Sequence, residues 1–277
     1  MSEIATWIKY DGGTERINQA KKILWSSGAL VIFLLAWEIL PRLGVVDPTF
    51  LPPFSVVLDA LVQLFVTGEI WDDIIISLMR AGIAFIAAVI IGITLGLLMG
   101  WFRLFEAFID PLLQTIRQIP ILALYPVFIL ILGIGEISKI AIIFKGALWP
   151  ILLATISGVR NVDTTLIKSA RSMGVTSEKD IFRKVVLPSA IPEIMVGIRL
   201  SATTCVVVLV AAEMLGAKSG LGFMIVNNEY TFQIPKMYAG IIIITVLGLA
   251  LNYGLVAIER KLFAWKEDMN TSMMAQL

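Results

Sequence analysis

Long apolar stretches alternate with short polar connectors along most of the chain, and one connector is too long and too charged to be a simple turn. Six stretches reach the ~20 apolar residues that cross a bilayer core, at roughly 23–43, 74–101, 111–132, 137–159, 191–215 and 237–258. The third and fourth are separated only by Gly133-Ile134-Gly135-Glu136, which predicts a tight helical hairpin. The exceptional connector runs from Asp163 to Pro188 and reads as helix, turn and helix. Asp163 is placed to N-cap the first helix, Met173-Gly174 to stop it in the left-handed region, Ser177 to N-cap the second, and Pro188 to end it. Within the second helix Ile181, Phe182, Val185 and Val186 form a dry face, while Asp180, Arg183 and Lys184 lie elsewhere on the wheel.

Two further segments are predicted not to cross. Pro48, Pro52 and Pro53 break the chain ahead of the amphipathic stretch Phe54–Thr67, expected at the outer interface. Between the last two spans, Gly216–Gly222 leads into Phe223-Met224-Ile225-Val226, which either dips back as a re-entrant helix or forms a surface loop with an apolar patch. In the second span Gly92, Gly96 and Gly100 make a small-residue ladder on which another helix can pack closely.

Composition agrees with this reading. The 277 residues are 58% hydrophobic and 16% charged, against ~45–50% apolar in soluble domains, so the chain is expected to be an all-α integral membrane protein. The first apolar stretch follows a polar segment and precedes no small-residue cleavage site, and is read as retained. There is no histidine, which removes every His-based metal site, triad and proton shuttle, and the one cysteine, Cys205, is expected to be packed. A net charge of +1 gives no bias toward nucleic acid, so bases matter by position. Lys9, Arg16, Lys21 and Lys22 precede the first span, Arg103 follows the second, Arg160, Lys168, Arg171, Lys179, Arg183 and Lys184 lie in the central island, and Arg260, Lys261 and Lys266 follow the last span. The segment from Gly44 to Ser77 has none of them and carries Asp47, Asp59, Glu69, Asp72 and Asp73. The positive-inside rule therefore puts both termini and the island in the cytoplasm.

Glu38, Arg80, Lys145, Arg199 and Glu213 fall within or at the ends of spans, where a charge is costly unless it faces a cavity or a partner. Arg80, Lys145, Arg199 and Glu213 are candidates for a substrate pathway. The alternative for Arg80 and Lys145 is to snorkel or to pair with a carboxylate such as Glu213. No P-loop, nucleophile elbow, metal-ligand cluster, inverted repeat or chain of buried carboxylates is visible, so no catalytic residue or metal is assigned and the energy for transport must come from another chain. A secondary carrier or channel is the competing class.

The island then becomes recognisable. Lys168-Ser169-Ala170-Arg171-Ser172-Met173-Gly174, followed by Val186-Leu187-Pro188, resembles the EAA loop of the membrane subunits of binding-protein-dependent ABC importers. The resemblance extends through Ser189–Arg199, Ala211–Ala217 and Ser219–Gly222, and back to Leu51-Pro52-Pro53, Ser77–Arg80 and Pro120–Pro126. It is closest to the nitrate, sulfonate, taurine and bicarbonate permease group. Lys168 stands where many members have Glu, and the spacer from Gly174 to Pro188 is one residue longer than usual. The resemblance implies six transmembrane helices with a coupling helix-turn-helix, of the type I importer kind. Residues 1–22 and 261–277 would be cytoplasmic tails around one permease domain, 23–260, whose coupling loop is 160–190. It also implies a homodimer in the inner membrane, two cytoplasmic ATPase subunits that hold the ATP and magnesium, and an extracytoplasmic solute-binding protein. Lys168, Ser169, Ala170, Arg171, Ser172 and Gly174 would then contact the ATPase, with Ile181, Phe182, Val185 and Pro188 seating the island on the membrane helices.

Overall fold

The computed structural model describes residues 28–262, which form helices joined by short connectors, with no strand among them. The predicted N-terminal tail with its four basic residues, the start of the first apolar stretch, and Lys266 lie outside the described residues. In chain order the helices are α1 (residues 28–42), α2 (Phe54–Thr67), α3 (Trp71–Trp101), α4 (Arg103–Gln118), α5 (Tyr125–Leu132), α6 (Glu136–Arg160), α7 (Thr164–Ser172), α8 (Glu178–Ile181), α9 (Leu187–Gly216), α10 (Leu221–Tyr230) and α11 (Ile234–Leu262). A 3-10 turn, Leu122–Leu124, precedes α5, and a π-helical segment, Phe182–Val186, joins α8 to α9.

Helices in lipid gain little from hiding apolar surface from one another, so close backbone approach decides which of them pack. The glycine ladder supplies that approach. A side-chain carbon added at Gly92 would come within 3.0 Å of Ile151, one at Gly96 within 2.5 Å of Thr155, and one at Gly100 within 2.7 Å of Val159. Each glycine of the ladder thus faces a residue of α6 with the same four-residue spacing. On its other side α6 meets α9, where a carbon added at Gly197 would lie 2.5 Å from Ala154 and 2.9 Å from the Pro150 carbonyl. Ile142, Ile143, Ala147 and Ile151 are fully buried in this three-helix core. Cys205 is packed there as expected, its sulfur 3.7 Å from the Ala81 carbonyl.

Among the described residues four helices are long and apolar enough to cross a membrane, namely α3, α6, the continuous run from α8 through α9, and α11. The predicted third span differs. It is not one helix: α4 ends at Gln118 and the chain resumes from Leu122 at an angle of 89°. Pro120 is the physical reason, because it lacks an N–H and forces Ile119 out of the helical region, to ψ 121°. With the bent pair counted as one, five spans are described, and the predicted first span is represented by residues 28–42.

Pro188 also departs from expectation. It does not end the second island helix; the chain is helical from Glu178 to Gly216. Proline is tolerated near the start of α9 because the π-helical segment precedes it, with the Leu187 N–H bonded to the Phe182 carbonyl five residues back.

The segment after Gly216 forms α10, longer than the apolar tetrapeptide suggested. It runs antiparallel to the first turns of α11, with Met224 and Ile225 against Gly240, and turns back at Thr231 to Gln233. The predicted amphipathic stretch is α2, whose Val57 and Leu64 are buried with Leu221, Ala239 and Ile243.

Candidate functional site

The island is built as its caps dictate. Asp163 Oδ1 accepts the Thr165 N–H at 2.7 Å, and this bond holds the Asp163 carboxyl below its ordinary range. At the far end of α7, Gly174 takes φ +91°, the Gly174 N–H bonds to the Arg171 carbonyl and the Val175 N–H to the Ala170 carbonyl. That pair of bonds is a Schellman stop, which needs a left-handed residue. Ser177 sits at the start of α8 without a side-chain capping bond, and Arg171 bridges the turn instead, with an ion pair to Glu178 at 2.6 Å.

The dry face lies where the sequence placed it. Ile181 and Val186 are fully buried, with Val159, Val162, Ala190 and Ile194 around them and Phe182 packed edge-on against Trp101. Val185 is half-buried. Lys168, Ser169, Arg171, Ser172, Met173 and Gly174 are exposed, whereas Ala170 is buried and anchors α7 from below. The island therefore presents a polar surface and is held from behind by the ends of α3, α6 and α9. Arg160 closes this end by pairing with Glu106 of α4.

At the opposite end of the same three helices lies a buried charge knot. Arg80 of α3 is 1% exposed. Its Nη1 donates to Glu213 Oε1 at 2.8 Å and to the Ser219 carbonyl at 2.7 Å. Nε and Nη2 donate to Glu136 at 2.5 and 2.8 Å, and Nη2 reaches the Ser219 hydroxyl at 3.4 Å. All five guanidinium donors are thereby matched. Glu213 in turn accepts the Ser77 hydroxyl and the Gly222 N–H, while Ser77 Oγ accepts the Leu221 N–H and Asp73 accepts the Gly220 N–H. Gly220, at φ +110°, leaves no room for a side chain beside Glu213. Of the two readings open for Arg80, pairing with Glu213 is the one this geometry fulfils. Glu136 is the member that sequence reasoning missed; its signal was a Glu and a Lys three residues apart, Glu136 and Lys139, in an otherwise apolar hairpin, now paired at 3.0 Å.

The remaining pathway candidates are not brought together with Arg80. Arg199 pairs with Glu259 of α11 at 3.1 Å. Lys145 is buried in α6, with its ammonium bonded to the Ile119 carbonyl at 2.8 Å, at the break that follows α4.

These features define a polytopic helical membrane protein with a buttressed, exposed polar helix-turn-helix at one end and a charge-sealed helix junction at the other. Residues 88–264 match the family described as binding-protein-dependent transport system inner membrane component, and the chain belongs to that family. It is similar to the taurine transport system permease protein TauC of Escherichia coli, 33% identical over 251 residues, covering 89% of this chain and 91% of that one. A Bacillus subtilis protein that carries the name aliphatic sulfonates transport permease SsuC is 38% identical, covering 90% of each chain. The formylaminopyrimidine transport permease ThiX of Halalkalibacterium halodurans is 30% identical, covering 86% and 94%. Among solved structures, a chain of the MetNI methionine ABC transporter in an inward-facing conformation shares the fold, with TM-score 0.57, 22% identity, and coverage of 69% of this chain and 93% of that one.

Proposed function

We propose that this chain is the membrane-spanning subunit of an ATP-driven importer of a small anionic or zwitterionic solute, with taurine or an alkanesulfonate preferred over nitrate or bicarbonate. Two copies form the pathway in the inner membrane, with both termini and both islands cytoplasmic. Each island seats one ATPase subunit, which holds the ATP and magnesium, and a solute-binding protein delivers the substrate from the other side. The observation that carries this reading is the continuous helix Glu178–Gly216. Its first turns lie in the island and its last residues enter the Arg80 knot through Glu213, so a push on the island is transmitted along one stiff element to the far side of the membrane. Relatives named for taurine and aliphatic sulfonates support the substrate class, and the final choice among solutes belongs to the binding protein. Lys168, Ser169, Arg171, Ser172 and Gly174 form the exposed surface assigned to the ATPase; Ala170, Ile181, Phe182 and Val185 hold it in place, while Pro188 is itself exposed.

The test is copurification from membranes that contain the ATPase encoded with this chain. The intact chain is expected to retain the ATPase, and Arg171→Glu combined with Ser172→Trp, both on the exposed face, to lose it while still inserting. Equal retention by both would overturn the assignment of the island.

A further inference from the structure

Among the described residues three cations are buried, Arg80, Lys139 and Lys145; Lys139 pairs with Glu136, and the other two are treated oppositely. Arg80 has a partner for each of its five donors. Lys145 is 6% exposed yet uses one of its three donors, on the Ile119 carbonyl, and among the described residues no carboxylate pairs with it. It is the tenth residue of the 25-residue helix α6, about midway along a helix that crosses the membrane. A cation at that depth requires a counter-charge or water.

The backbone beside it imposes the same requirement. Between Gln118 and Leu122 the third span is not helical, and Ile119, Leu122 and Ala123 are exposed on the surface of the chain. Non-helical backbone at membrane depth is tolerated where it lines protein or water, not lipid. The break and the ammonium therefore share one wet or protein-lined space, held together by the Lys145 to Ile119 bond.

We propose that Lys145 and the break at residues 119–123 form a binding site for the anionic oxygen group of the transported solute, a sulfonate by chemical class, which supplies the missing counter-charge during passage. This deepens the permease reading and rests on it. The two unused N–H donors of Lys145 point-coordinate sulfonate oxygens, and Leu122 and Ala123 offer the apolar contact that a short alkyl chain needs.

Thiol accessibility tests this without reliance on ATPase docking. In a Cys205→Ala background, Leu122→Cys and Ala123→Cys are treated in proteoliposomes, with and without the ATPase, with two reagents of similar size. One is the anionic sulfonatoethyl methanethiosulfonate and the other the cationic trimethylammonioethyl methanethiosulfonate. Both positions are expected to react, with the anionic reagent favoured about tenfold over its ratio on a free thiol. Lys145→Met is expected to abolish that preference and Lys145→Arg to keep it. The proposal is overturned if neither position reacts, or if the preference survives Lys145→Met in protein that still elutes as a folded species. Loss of ATPase copurification with labelling intact would count against the island and leave this site standing.

Discussion

Gly174 illustrates how one backbone angle fixes a surface. Its φ of +91° is strained for any L side chain, although a carbon added there would meet nothing within 4 Å. Gly174→Val is therefore expected to insert normally and fail in coupled transport, whereas Gly174→Asn, which enters the left-handed region at lower cost, keeps most of it. Uptake into proteoliposomes compares the two; equal transport by the valine and asparagine variants would contradict the angle's role. At the other end, loss of Arg80 strands a buried partner. Arg80→Met leaves Glu213 buried without its cation, which is expected to cost about 3–5 kcal/mol, read as a fall in the thermal unfolding midpoint in detergent. Asp163 gives the island a weak acid sensitivity. Its carboxyl is depressed by the Thr165 N–H, so its contribution to the start of α7 is present above the ordinary carboxylate range and fades as pH falls through the lowered value. Asp163→Asn keeps a capping oxygen and should remove that dependence, which hydrogen exchange of the Thr165 amide across acid pH measures.

At the scale of elements, the parts legible in the sequence were those with a local cause. The ladder Gly92, Gly96 and Gly100 announced a close helix pair because small residues four apart have few other uses in lipid, and α6 fills it with Ile151, Thr155 and Val159. Gly96→Val is expected to force α3 from α6 and to lower stability by about 1–3 kcal/mol or more, again visible in detergent melting, while Gly82→Val, with nothing within 4 Å of its added carbon, should be close to neutral. The caps of α7 were legible for the same local reason. Two prolines were not read correctly from sequence, and in opposite directions. Pro188 looked like a terminator, but the π-helical segment before it absorbs the missing N–H and the helix continues. Pro120 lay inside an apolar run long enough to span, yet it breaks the third span into two pieces at 89°. Apolar length reports that a segment crosses, not that it crosses as one helix. The knot was half legible: Arg80 and Glu213 were named as candidate partners, but Glu136 joins them across 56 positions of sequence, which no local pattern announces.

For the whole molecule, a three-helix core of α3, α6 and α9 connects an exposed polar island at one end to a charge knot at the other. The island was legible as a surface and its partner only by resemblance, because an exposed polar helix pair does not itself state what docks on it. The orientation rests on basic residues, several of which lie outside the described residues. We propose that transport by this chain is driven through the island by a separate ATPase. Uptake of radiolabelled taurine and ethanesulfonate into proteoliposomes, with the binding protein present, tests it most directly. Uptake is expected only when the ATPase and ATP are both present, and is expected to be lost in Arg171→Glu combined with Ser172→Trp. Uptake by the chain alone, unchanged by ATP, would contradict it and identify a carrier or channel instead.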